Sequence, residues 1–271
     1  LRFAARHFRC APLAEALTLT TQRGSDQRPL LAVTFDDGQL DNHVNALPVL
    51  ERHGIKASFF VTSRTLQDTA PLWHDGLSSL LLRLAPLAVQ DAAGASASLR
   101  SAALERLTEL GLNPGSNGST GPIDIESTLE HTKRWPPARR AEWIQRASAL
   151  IADGGREPWD GFMTIQHLKD LLRKGHEIGG SKRRLEAALD APVTSFCYPN
   201  GSADHRAVEQ VRQAGYCAAV TTRWGSNLPT QNPHLLNRFD MNARHAMDRH
   251  GRFSETRLAW RISGLHPGLS E

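Results

Sequence analysis

Cysteine is scarce in this sequence: Cys10, Cys197 and Cys217 are the only three among 271 residues. Three cannot all pair and they form no metal-ligand spacing, so neither a disulfide framework nor a cysteine-based metal site is expected. They are read as small buried thiols. No apolar run approaches the length of a bilayer span, so no transmembrane segment is expected either. An excess of one charge is also missing, since 32 Lys and Arg stand against 28 Asp and Glu, a formal net charge of +4. The arginines are scattered and not interleaved with aromatics, which make up only 6% of the chain, and nucleic acid is therefore not an expected partner. No signal peptide is legible from Leu1 onward, and the compartment stays open between cytoplasm and cell envelope. What remains, 40% hydrophobic and 22% charged residues, is ordinary globular composition. The length suits one sizeable domain or two small ones, and one is expected.

The most informative stretch is 30–38, Leu-Leu-Ala-Val-Thr-Phe-Asp-Asp-Gly. A short apolar run ending in two carboxylates and a glycine reads as a buried strand that delivers charge to its C-terminal tip. Successive side chains on a strand point opposite ways, so Asp36 and Asp37 cannot do the same job: one can hold a metal while the other handles a proton. An Asp-Gly hairpin turn is the plain alternative. The next twenty or so residues disfavour it, because 43–54 has helical apolar spacing closed by Gly54, and 55–62 reads as a second strand. The unit is β-α-β.

Thr34-Phe35-Asp36-Asp37-Gly38, the helix, and His53-Gly54-Ile55-Lys56-Ala57-Ser58-Phe59-Phe60-Val61 together resemble the opening of the polysaccharide deacetylases with a NodB-type domain. The resemblance implies an α/β fold, a distorted (β/α) barrel. It also implies a hydrolase that removes N- or O-acetyl groups from sugar polymers with a divalent metal, usually zinc. Asp36 would be the general base and Asp37 a metal ligand.

Further matches lie downstream. Thr164 suits the N-cap of a helix over 165–174, closed by Gly175, and 176–180 reads as the next strand. Gly175-His176-Glu177-Ile178-Gly179 resembles the family stretch that runs into a loop carrying two metal-binding histidines. Here Gly180 leads instead into Ser181-Lys182-Arg183-Arg184-Leu185, similar to the end of the helix that normally follows that loop, and the two histidines are missing. Residues 181–192 still supply the dozen or so positions a parallel crossover needs, so the fold is expected to survive. The zinc or other divalent metal that the resemblance implies is left short of donors, because Asp37 alone falls below the roughly three protein ligands of a zinc site.

The stretch 193–201, Val-Thr-Ser-Phe-Cys-Tyr-Pro-Asn-Gly, resembles the family's strand ending in Tyr-Pro-x-Gly. That likeness makes Tyr198 a catalytic residue whose backbone N–H steadies the tetrahedral oxyanion, with Pro199 against the substrate. Many members carry an arginine where Phe196 stands and an aspartate where Val220 stands; losing both partners of such an ion pair costs far less than losing one. Trp224 would form an apolar wall near the acetyl methyl. The family's Leu-x-x-His proton donor has no counterpart, and neither His234 nor His245 is assigned that role.

Residues 63–160 read as an insertion within a single domain spanning 1–271. A leucine stripe at 77, 80, 81, 84 and 87 marks a packed helix, a second helix is expected over 137–151, and 112–122 reads as a surface loop. Trp73 and Trp159 are candidate sugar platforms for which burial is the stronger expectation. The function expected is that of a metal-dependent hydrolase removing acetyl groups from a polysaccharide or cell-envelope glycan. The alternative is a non-catalytic glycan-binding or scaffold barrel that has lost its metal.

Overall fold

The computed structural model describes residues 1–20, 25–66, 72–88, 96–112, 124–151, 161–248 and 250–263. The chain divides into two compact units, Leu1–Thr69 with Trp159–Glu271, and Ala70–Pro158.

The first unit is α/β. Its strands are β1 (Arg9–Cys10), β2 (Leu30–Leu31), β3 (Thr34–Phe35), β4 (Ser58–Val61), β5 (Glu177–Gly180), β6 (Ser195–Cys197), β7 (Ala218–Trp224) and β8 (Leu236–Arg238). Every ladder among them is parallel, in the orders β1-β2, β3-β4-β5 and β6-β7-β8. The helices are α1 (Arg2–His7), α2 (Leu13–Thr20), α3 (Leu47–Arg52), α8 (Ile165–Arg173), α9 (Lys182–Leu189), α10 (His205–Gln213), α11 (Ala243–Ala246) and α12 (Glu255–Ile262), with α4–α7 in the second unit. The expected β-α-β unit is present, with Thr34 opposite Ser58 and Phe35 opposite Phe59. The apolar run at 30–38 is not one strand, however. It changes partner after Leu31, so that β2 pairs with β1 and β3 with β4.

Two seams link the three-stranded ladders into a short, irregular ring. Between β5 and β6, Thr194 Oγ1 donates to Glu177 Oε1 at 3.3 Å, and Gly179 lies so near Ser195 that a Cβ there would sit 2.7 Å from its Oγ. Between β8 and β3, Arg238 Nη1 reaches Thr34 Oγ1 at 3.4 Å. The result is a distorted (β/α) barrel whose side chains alternate strictly. Phe60, Ala218, Val220 and Leu236 point inward and pack with Leu13, while Phe59, Val61 and Ile178 point outward under α3, α8 and α9.

The floor of the barrel is the N-terminus of α2. Leu13 N–H donates to Ser58 Oγ at 2.8 Å and Ala14 N–H to Glu177 Oε2 at 3.2 Å, while the Ser58 hydroxyl donates to the same Glu177 oxygen at 2.6 Å. Two strand side chains thus satisfy helix donors that have no partner within the helix. Because these groups sit at the starts of β4 and β5, the strand C-terminal ends, with Asp36 and Arg238, form the opposite, open end.

The second unit is helical: α4 (Trp73–Leu87), α5 (Ala97–Glu109), α6 (Ile125–Lys133) and α7 (Pro137–Ser148). The leucine stripe packs as expected, with Leu77, Leu80, Leu81 and Leu84 buried against Leu107, Trp135 and Trp143. Helices α5 and α6 are additions to the sequence reading; each starts on a side-chain cap, Ser96 accepting from Leu99 N–H and Asp124 from Ser127 N–H. Trp73 has the Arg140 guanidinium 4.5 Å over its ring and packs within this core. Trp159 and most of the expected 112–122 loop lie outside the described residues. No described helix is long and apolar enough to cross a membrane.

One buried group makes stability depend on pH. His176 is 3% exposed, accepts from Ala57 N–H at its Nδ1 (3.1 Å) and lies edge-on to Phe59. Desolvation, helped by Lys56, holds its pKa down to about 4. The folded chain therefore resists a proton that the unfolded chain accepts near pH 6.5. This contribution is intact above that value and is lost as pH falls towards 4, by about 3 kcal/mol in all. Urea unfolding at pH 7 and pH 4 should show a loss that His176→Phe flattens by about that amount; equal losses in the two proteins would remove His176 from the account.

Candidate active site

The Asp36-Asp37-Gly38 corner follows β3 directly and is pinned from one side. Gly38 N–H donates to Asp36 O at 2.9 Å, Met163 N–H donates to Gly38 O at 2.8 Å, and Leu40 N–H donates to Gly161 O at 2.8 Å. The chain turns through left-handed geometry at two consecutive residues, Asp37 (φ +66) and Gly38 (φ +73). The glycine needs no explanation there, but a non-glycine residue at such a φ is uncommon and aspartate is one of the few that tolerate it. A π-helical turn, Asn42–Ala46, then enters α3, and departures of this kind concentrate at functional sites.

Asp36 points into the mouth of the barrel, where a residue the sequence reading did not assign meets it. Arg238 Nη1 donates to Asp36 Oδ1 at 2.8 Å. The same guanidinium donates from Nε to Thr221 O at 2.9 Å and from Nη2 to Cys197 Sγ at 3.4 Å. The arginine side chain is 19% exposed and the aspartate 40%, so the pair is half sheltered. The fork geometry of arginine suits that role. A signal for it was present in the sequence: Arg238 stands two residues beyond the inward Leu236, so period-2 alternation aims it inward at a strand tip.

Cys197 is the inward residue of β6 at this level. Burial pushes its thiol up to about 11, with Asp36 and Asp37 adding to the rise and Arg238 opposing it. It is a protonated thiol and no nucleophile at neutral pH. Arg238 bridges Cys197 Sγ and Asp36 Oδ1, so β6 and the Asp36-Asp37 corner share one mouth.

The other expected site residues fall differently. Trp224 lies opposite Arg238 across the β7-β8 ladder, at the mouth. Phe239 meets its ring edge-on at 4.9 Å and the Arg261 guanidinium covers it at 4.0 Å. Pro199 is exposed on the short 3-10 turn Pro199–Gly201 after β6. Tyr198 points the other way. Its ring is 2% exposed in the outer cluster with Val211 and Phe196, its hydroxyl donates to His234 O at 3.1 Å, and its backbone N–H donates to Val220 O at 3.1 Å. The amide expected to meet an oxyanion is thus spent in the β6-β7 ladder. Phe196 and Val220 are not a paired replacement either: Phe196 packs in the outer cluster and Val220 in the inner one. The cation comes from β8 instead. His234 Nε2 donates to Tyr216 O at 2.8 Å, so its ring serves the backbone.

The sequence profile of the family described as polysaccharide deacetylase matches residues 23–110. That segment contains the whole β3-α3-β4 unit and the Asp36-Asp37 corner. Over that segment the chain is similar to the polysaccharide deacetylase family. YxkH of Bacillus subtilis (strain 168), a polysaccharide deacetylase by name, is 36% identical over 52 residues, 19% of this chain and 19% of its own length. Similar solved structures include the Streptococcus pyogenes deacetylase PplD in complex with acetate, at 14% identity and a TM-score of 0.47, covering 88% of this chain and 75% of that one. IcaB from Ammonifex degensii has 15% identity and a TM-score of 0.47, with 88% and 78% covered.

Polysaccharide deacetylases are generally metal-dependent, and the residues of this chain can be tested against that requirement. Among the described residues no group of three or more His, Cys, Asp and Glu is arranged to hold a metal ion. The reason lies in β5. The connection from Gly180 at its end to Lys182 at the start of α9 is Ser181 alone. Tyr216 locks that corner, its hydroxyl donating to Gly180 O and accepting from Lys182 N–H, both at 2.8 Å. There is no loop here to carry histidines, and the described donors do not fit a zinc site.

Proposed function

We propose that the chain acts on acetylated polysaccharide and removes acetyl groups by hydrolysis at the mouth of its barrel. The observation that carries this reading is the half-exposed Asp36 carboxylate on a pinned corner, oriented by the Arg238 fork, within the segment that matches the polysaccharide deacetylases. In this reading Asp36 accepts the proton of the attacking water. Asp37 adds a second negative group beside it, Trp224 flanks the acetyl methyl, and Pro199 borders the substrate groove. Tyr198 serves as scaffold for β6. No step is assigned to a metal.

A second reading is a barrel that binds glycan without cleaving it. The one-residue connection between β5 and α9, which leaves Asp37 without histidine co-ligands among the described residues, favours it. Acetate release and binding, measured side by side on N-acetylated chito-oligosaccharide and O-acetylated xylan, separate the two. Release above that of an Asp36→Asn control supports hydrolysis. Binding without release supports the second reading, and neither binding nor release would sink both.

A further inference from the structure

Adjacent carboxylates at a barrel mouth need compensating positive charge, and in a metal-dependent deacetylase a divalent ion contributes it. In this chain a guanidinium already stands there. Arg238 reaches Asp36 at 2.8 Å, Thr221 O at 2.9 Å, Thr34 Oγ1 at 3.4 Å and Cys197 Sγ at 3.4 Å, so it touches β3, β6 and β7 from its own place on β8. These contacts close one seam of the ring. The opposite strand, β5, passes into α9 through a single residue and offers no competing ligand loop.

We propose that Arg238 is the resident counter-cation of this mouth, taking the charge-balancing place of the divalent metal, so that the chain folds and holds Asp36 in position without one. The inference rests on the deacetylase reading of the barrel, but its test uses no substrate and so stands or falls separately. An arginine in this position does two things at once. It balances charge, which any cation could do, and it ties three strands together through a planar fork, which lysine cannot reproduce.

The test is made on the full chain stripped of metal with a chelator. Calorimetric titration with zinc is expected to show no stoichiometric uptake, and added zinc is expected to leave Tm unchanged. Uptake that Asp37→Asn leaves unaltered lies away from the mouth and agrees with the proposal; tight stoichiometric uptake abolished by Asp37→Asn would overturn it. Arg238→Met is expected to lower Tm by about 5 °C or more, because it strands a carboxylate and a buried carbonyl together. Arg238→Lys should recover only part of that loss. Asp36→Asn in the Arg238→Met background should recover a further part, which a purely packing role for the arginine would not give. An Arg238→Met protein as stable as the original, or a double variant with no recovery, would also overturn the proposal. Should Arg238→Met fail to fold, the zinc titrations of the original chain and Asp37→Asn still decide.

Discussion

Asp36→Asn is expected to reduce acetate release by about 10²–10⁴-fold, the range in which a positioned general base contributes. The substitution keeps the shape of the corner: an amide oxygen can still accept from Arg238 Nη1, and the backbone bonds from Gly38 and Met163 do not involve the side chain. What disappears is the ability to take a proton and the negative charge opposite the guanidinium. The carboxylate is 40% exposed, so its charge is partly screened and the cost in stability should stay near 1 kcal/mol. A large loss of rate in a protein that melts within a few degrees of the original is therefore the expected pairing. Asp37→Asn makes a suitable companion, since asparagine also tolerates φ +66 and leaves the corner intact. Asp37→Ala would add a backbone cost of about 1–2 kcal/mol at the same place. If Asp36→Asn releases acetate as fast as the original, Asp36 is not the base and the proposed mechanism fails.

The parts of this site that were legible in the sequence are those set by local pattern. The Asp-Asp-Gly corner, the β-α-β unit behind it, the Thr164 cap and the Tyr-Pro turn each depend on residues close together in the chain. The capping box even closes through His167, whose Nδ1 accepts from Thr164 N–H at 3.1 Å. Arg238 was missed because its role depends on a partner 202 positions away. Nothing near residue 238 announces that Asp36 will face it; only the closure of the ring between β8 and β3 brings them together. The misplacement of Tyr198 has a similar origin. Alternation along β6 sends Cys197 inward and Tyr198 outward, and the ladder to Val220 then consumes the Tyr198 amide. A resemblance fixes residue identity at a position, but the direction of a side chain is set by strand register. Helices α5 and α6 were passed over because their apolar faces are weak and their Ala-, Ser- and Thr-rich sequences resemble linker composition.

The largest expected loss of stability comes from a residue with no side chain. Gly180 ends β5 at φ +129, a region essentially closed to other residues, and a Cβ built there would lie 2.3 Å from the Val61 carbonyl oxygen. Val61 is its ladder partner on β4, so the clash is with backbone and no rotamer change can relieve it. Leu185 Cδ1, at 3.1 Å, closes the other side. Gly180→Ala is accordingly expected to cost about 3–5 kcal/mol, the sum of a strained backbone and an overpacked contact. Urea unfolding would record it as a lowered midpoint with an unchanged slope. The size of this effect reports on more than one glycine. The strain exists because the chain must turn from β5 into α9 within a single residue, with Tyr216 bonded to both sides of the corner. A long loop after β5, of the kind that carries metal-binding histidines, would let residue 180 leave the strand in ordinary extended geometry, and alanine would then be tolerated. A cost below about 1 kcal/mol for Gly180→Ala would therefore refute the tight corner, and with it the reason given for a mouth balanced by Arg238 in place of a metal.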